Sequence, residues 1–214
     1  MSEKLKKWEG WLEIIFEDMS RNALSRTVHT ELVEIIKKNR ALREGNLLFQ
    51  LLEGWYIDSV VMALRRQLKS DKQSISLARL LIEVREAPEI LTRVRFVKLY
   101  EDSVMLRVAE KTFDQYAQLG APYIDPDLVS ADLLQLSQRT EKCERLGDRA
   151  IAHKDMRGPG ELPTYADLNK ALDFAEGLLR KYTMMIKADY LPQVAPMHLD
   201  PWQDVLDIPW RSHR

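Results

Sequence analysis

A single cysteine, Cys143, rules out an internal disulfide and a cysteine-built zinc site in this 214-residue chain. That usage fits a reducing cytoplasm. Glycine and proline are scarce before Gly120, and no segment shows the alternation of a strand. Excess charge of either sign is also missing. Lys and Arg number 32 against 33 Asp and Glu, leaving a net charge of -1. This argues against a broad electrostatic footprint for nucleic acid and confines any RNA contact to a local patch. No apolar run is expected to reach membrane-spanning length, so no membrane partner is expected. The opening "MSEKLKKWEGWLEIIFEDM" sets acids inside an amphipathic pattern and lacks the apolar core of a signal peptide. "RGPGELP" has neither the lysine nor the strand context of a phosphate-binding loop. His29, His198 and His213 show no metal-ligand spacing and read as surface residues; neither a metal nor a cofactor is expected.

What is present is helical. Leu, Glu, Lys, Arg and Ala dominate, and 45% hydrophobic residues can furnish the core of one domain spanning 1-214. Residues 1-45 predict two helices, one on Leu5, Trp8, Leu12, Ile15 and Met19, the other on Leu32, Ile35 and Ile36, with a polar break at Ser25 to Thr30. "NLLFQLLEGWYIDSVVMALRRQLK", Asn46 to Lys69, is apolar on more than one face and predicts a central helix. Ser74 is expected to cap a short helix ending before Pro88, and a long helix is expected from Glu89 towards Leu119. Ser130 is the expected cap of the helix leading to His153, and Thr164 with Asp167 forms a capping-box pattern. Leu168, Leu172, Ala175, Leu179, Tyr182 and Ile186 then share one helix face. Residues 190-214, with Trp202 and Trp210, predict an irregular Trp- and Pro-containing strap docked on the bundle.

On the helix from Ser130 to about Lys154, Leu133, Leu136, Thr140, Cys143, Gly147 and Ala150 form the buried stripe. Arg145, Arg149 and His153 are four apart and share another surface. Such a surface has the parts for cutting RNA without metal. A neutral imidazole can take a 2'-hydroxyl proton, and a guanidinium can stabilise the charge gathering on the attacked phosphate. The competing reading is a histidine that caps free carbonyls at a helix end, worth about 0.3 to 1 kcal/mol.

"GDRAIAHKD" resembles the signature helix of the HEPN superfamily. "LPTYADLNKALDFAEGLLRKYTMMI", "SISLARLL" and "PWQDVLDIPW" are similar to its AbiU2-like branch, named for abortive-infection proteins. The resemblance implies an all-α, HEPN-like helical bundle with additional helices. It also implies a homodimer whose two signature helices meet at a cleft, and for many members a metal-independent endoribonuclease of phage-defence or toxin type, with RNA as substrate and an antitoxin protein as partner. The catalytic pattern it implies is an Arg, four to six residues often starting with a polar one, then His. His153 fits the histidine and Asp148 the polar position. Arg149 and Arg145 fall outside the arginine spacing, and Gly147 stands six residues before His153. Other members are non-catalytic modules for dimerisation or for binding a partner or nucleotide, a reading that Gly147 favours.

Overall fold

The structure, a computed structural model, describes residues 2-39, 47-100, 103-196 and 201-207. Seven α-helices are found among them: α1 Glu3–Lys38, α2 Leu47–Leu68, α3 Leu77–Glu86, α4 Arg93–Val97, α5 Ser103–Phe113, α6 Pro126–Leu146 and α7 Tyr165–Lys187. Helix α6 packs on α2, α3 and α7, while α1 closes over α2 and α7. The all-α bundle expected from composition is what forms. The described backbone contains one isolated antiparallel bridge, Thr92 to Tyr123.

The helix faces follow the apolar spacing. Leu5, Trp8, Leu12, Ile15 and Met19 of α1 are buried, as are all six stripe residues of α7. Helix α7 opens on the expected box: the Thr164 hydroxyl accepts from Asp167 N, and the Asp167 carboxylate accepts from Thr164 N. A buried carboxylate ties α1 to α3. Glu83 accepts from Lys7 at 2.8 Å, Trp8 Nε1 at 3.0 Å and Arg79 at 2.8 Å. Burial opposes its ionisation, but these three donors outweigh burial and hold its pKa below the usual value.

Several expected boundaries move. The two N-terminal helices are one, because the residues of the supposed break satisfy themselves on the helix. Ser25, Thr27 and Thr30 donate back to the carbonyls of Arg21, Ala23 and Arg26. Arg26 meanwhile pairs with Asp173 and Glu176 of α7. His29 is not a simple surface residue either. Its ring stacks on Tyr56 at 3.8 Å, and burial lowers its pKa.

The expected helix from Glu89 to Leu119 is divided. Pro88–Ile90 forms a 3-10 turn, Thr92 starts a new helix by accepting from Arg95 N, and Arg93 N bonds across to Pro122 O at 2.8 Å rather than along a helix. Asp125, not Ser130, caps α6, with Pro126 in its first turn; Ser130 donates to the Pro126 carbonyl inside the helix. The cap of α3 is Ser76 instead of Ser74. Ser76 Oγ accepts from Arg79 N at 3.0 Å and donates to the Lys69 carbonyl, fully buried. Ser74 only bonds Asp71 at the surface. Replacing Ser76 by alanine is therefore expected to cost about 1-2 kcal/mol in chemical denaturation, against less than about 0.5 kcal/mol for Ser74→Ala.

Helix α2 is a core element in its C-terminal half only. Val60, Val61 and Leu64 are buried, whereas Leu47, Leu48, Leu51 and Trp55 are exposed. It is also long and apolar enough, by length and composition, to cross a membrane, with a mean hydropathy of 1.4 over its most apolar window. This corrects the expectation that no run would reach that length: before Arg65, the helix carries only Glu53 and Asp58 as charged residues. At the other end of the chain, Trp202 docks on α1 by donating to Glu31 at 3.1 Å, and Val194 is buried. Trp210, His198 and His213 lie outside the described residues.

Candidate functional site

The α-helical hydrogen-bond pattern of α6 ends at Leu146, before the residues of interest. From Gly147 to Ile151 the backbone widens into a π turn, in which Ala152 N donates to Gly147 O at 2.8 Å. His153 therefore lies just past the helix in an exposed bend and not on a regular α-helix running to Lys154. A π turn closes i to i+5 and adds a residue to the turn, so the 100° steps that place Arg145, Arg149 and His153 on one side no longer apply between them. The wider turn still brings them together. An open cleft of about 640 Å³ is lined by Arg145, Asp148, Arg149 and His153, all four candidate residues, together with Glu141, Glu144, Lys154, Asp155 and Arg157.

Three carbonyls of the helix end, those of Gly147, Arg149 and Ala150, are served without the histidine. Ala152 N serves Gly147 O, Asp155 N serves Arg149 O at 3.0 Å, and Lys154 Nζ reaches Ala150 O at 2.9 Å. His153 has no hydrogen-bond partner among the described residues, so it caps no carbonyl there.

The cations differ in how far they are committed. Arg157 grips Asp155 through Nε and Nη2, and this pairing holds the Asp155 carboxyl well below the usual range. Arg145 bonds Glu141 one turn back. Arg149 has no hydrogen-bond or ion-pair partner among the described residues, and it converges with Arg145. A point one Cβ out from Gly160 lies 3.9 Å from Arg145 Nη1 and 4.0 Å from Arg149 Nη1. Gly160 adopts φ +73 in the loop that follows, a conformation that favours glycine. Both guanidinium groups thus lie beside this loop.

Gly147 is buried against α2. A Cβ there would stand 3.2 Å from both Val61 Cγ1 and Arg65 Cδ, so any side chain at this position presses on α2. Beside it, Arg65 Nε donates to the Asp148 carboxylate at 2.5 Å. Asp148 is accordingly not a free base. Arg65 is the participant that sequence spacing missed, since it comes from a helix 83 positions away. Its only sequence signal is that it follows Val61 by one helical turn on the ridge facing Gly147.

The bundle and this signature segment can be set beside known proteins. A family model for AbiU2, of the HEPN class, matches residues 5-205. The chain belongs to the AbiU2 family. No curated protein and no solved structure matches it. The match to the AbiU2 family covers the helices described above, all but the first two residues of α1, and the π turn with its cleft. Within that family frame, His153 is open to the cleft while the position six residues before it is a helix contact. No group of three or more potential metal ligands occurs among the described residues.

Proposed function

We propose that this AbiU2-family chain is an RNA-directed defence or toxin protein that cleaves RNA without a metal, with the cleft at the α6 terminus as its site. The observation that carries this reading is the placement of His153, unpartnered and exposed, in the same cleft as two converging guanidinium groups. His153 would take the 2'-hydroxyl proton as general base, and the freed oxygen would attack the adjacent phosphorus. Arg149, uncommitted, and Arg145 would bind the phosphate oxygens and stabilise the added charge. The 5'-oxygen leaves with a proton taken up from solvent, and a 2',3'-cyclic phosphate remains. We further propose that the chain works as a homodimer in the cytoplasm and that an antitoxin protein restrains it.

The test is incubation of the pure protein with single-stranded RNA in excess chelator, followed by analysis of product ends. Fragments ending in 2',3'-cyclic phosphate are expected. Intact RNA with well-folded protein would sink the catalytic reading.

A second reading has its own observation. Gly147 is committed to the α2 contact, so the cleft lacks a cation on its signature segment at that position. A non-catalytic module that dimerises or binds a partner or nucleotide through the same surface accounts for this. Binding of RNA without cleavage in the same experiment favours it.

A further inference from the structure

Charge is the difficulty for any anion approaching this cleft. Its lining carries four basic residues, Arg145, Arg149, Lys154 and Arg157, and four acidic ones, Glu141, Glu144, Asp148 and Asp155. Where a lining cation neutralises a lining acid, as Arg157 does for Asp155 and Arg145 for Glu141, it is partly withdrawn from a ligand. Asp148 is different. Its cation is supplied from outside the lining, by α2, so its neutralisation withdraws nothing from the cleft.

The delivery is built into the packing. Arg65 side-chain atoms pass over Gly147, Cδ standing 3.2 Å from where a Cβ would be, and any larger residue at 147 would contest that space. The Arg65 side chain is only 21% exposed, against 47% for Asp148, so the guanidinium stands on the protein side of the pair and the carboxylate on the open side. Nη1 and Nη2 of Arg65 have no hydrogen-bond partner among the described residues, which leaves Asp148 its sole ion-pair partner there.

We propose that Arg65 is a positioning residue for phosphate binding: by holding and neutralising Asp148 over Gly147, it converts a charge-balanced cleft into one that accepts the RNA backbone. This rests on the RNA reading of the cleft but not on cleavage. Without Arg65, the Asp148 carboxylate faces the incoming phosphate uncompensated, and one unit charge within such a cleft changes affinity by roughly tenfold.

The experiment is fluorescence anisotropy at low salt with a labelled single-stranded 2'-O-methyl RNA oligonucleotide, which has phosphates but no 2'-hydroxyl to deprotonate. Arg65→Met keeps the apolar stem over Gly147 and is expected to weaken binding roughly tenfold. Arg65→Lys keeps the charge and should stay near wild type. Asp148→Asn should bind at least as tightly as wild type, and the Arg65→Met/Asp148→Asn double variant should return to within about twofold of it. A merely structural role for Arg65 would not be rescued by removing the carboxylate. Binding by Arg65→Met equal to wild type, or a double variant as weak as Arg65→Met, overturns the proposal. If Arg65→Met does not fold by circular dichroism, Arg65→Gln takes its place in the same cycle. Wild-type protein that does not bind the oligonucleotide overturns this proposal and the RNA reading together. The expected cycle in a protein that cuts no RNA overturns only the catalytic reading.

Discussion

Replacing His153 by alanine is expected to lower RNA cleavage by roughly 10²- to 10⁴-fold, the range that general base catalysis contributes, and to leave thermal unfolding unchanged. Both halves follow from the surroundings of the ring. It is exposed, has no hydrogen-bond partner among the described residues, and the carbonyls of Gly147, Arg149 and Ala150 are served by Ala152, Asp155 and Lys154. Removing it deletes no hydrogen bond or ion pair among the described residues. A histidine placed to cap the helix would give the opposite pattern, with a lower melting temperature and unaltered RNA chemistry. Parallel melting curves and single-turnover cleavage in chelator separate the two. Cleavage by His153→Ala at the wild-type rate would remove His153 from the mechanism.

Loss of Arg149 should be felt differently from loss of His153. Arg149 has no hydrogen-bond or ion-pair partner among the described residues and reaches the same side of Gly160 as Arg145, so one guanidinium can partly stand in for the other on a phosphate. Neither arginine stands at the spacing that the resemblance implies. Both reach the same side of the loop at Gly160, which adopts positive φ as Gly158 does.

The parts of this arrangement legible in the sequence are those that local periodicity controls. The α1 and α7 stripes, the Thr164–Asp167 box and the buried line from Leu136 through Cys143 to Gly147 all sit where their spacing puts them. What was not legible depends on partners distant in the chain or on polar groups that serve themselves. The polar run from Ser25 to Thr30 looks like a break, yet its hydroxyls bond the preceding turn and Arg26 finds acids on α7. Ser76 rather than Ser74 caps α3 because Ser76 also reaches the Lys69 carbonyl, a contact set by how the preceding loop folds. The π turn has no signature in residue spacing. It is nevertheless what carries His153 off the helix and into the cleft. Arg65 was hidden for the same reason, since its approach to Asp148 exists only once α2 lies against Gly147.

That contact makes the last expectation a severe one. Placing an arginine at position 147, six residues before His153, is expected to destabilise the protein by about 3 kcal/mol and not to raise cleavage. The new Cβ alone would stand 3.2 Å from Val61 Cγ1, a fully buried side chain that has to give by a few tenths of an ångström, and the rest of the arginine needs far more space. The rest of the side chain would meet Arg65, adding a like charge where Arg65 already pairs with Asp148. At this chain length the cost corresponds to a fall of roughly 10 °C in melting temperature. Gly147→Ala is the milder control. Arg65 Cδ belongs to a flexible side chain that can yield, and the gain in helix propensity of about 1 kcal/mol offsets the remaining pressure on Val61. The alanine variant should therefore melt within a few degrees of wild type. A Gly147→Arg protein as stable as wild type, with faster cleavage, would mean that position 147 opens towards the cleft. The packing assigned to Gly147 would then be wrong, and with it the passage of Arg65 across it.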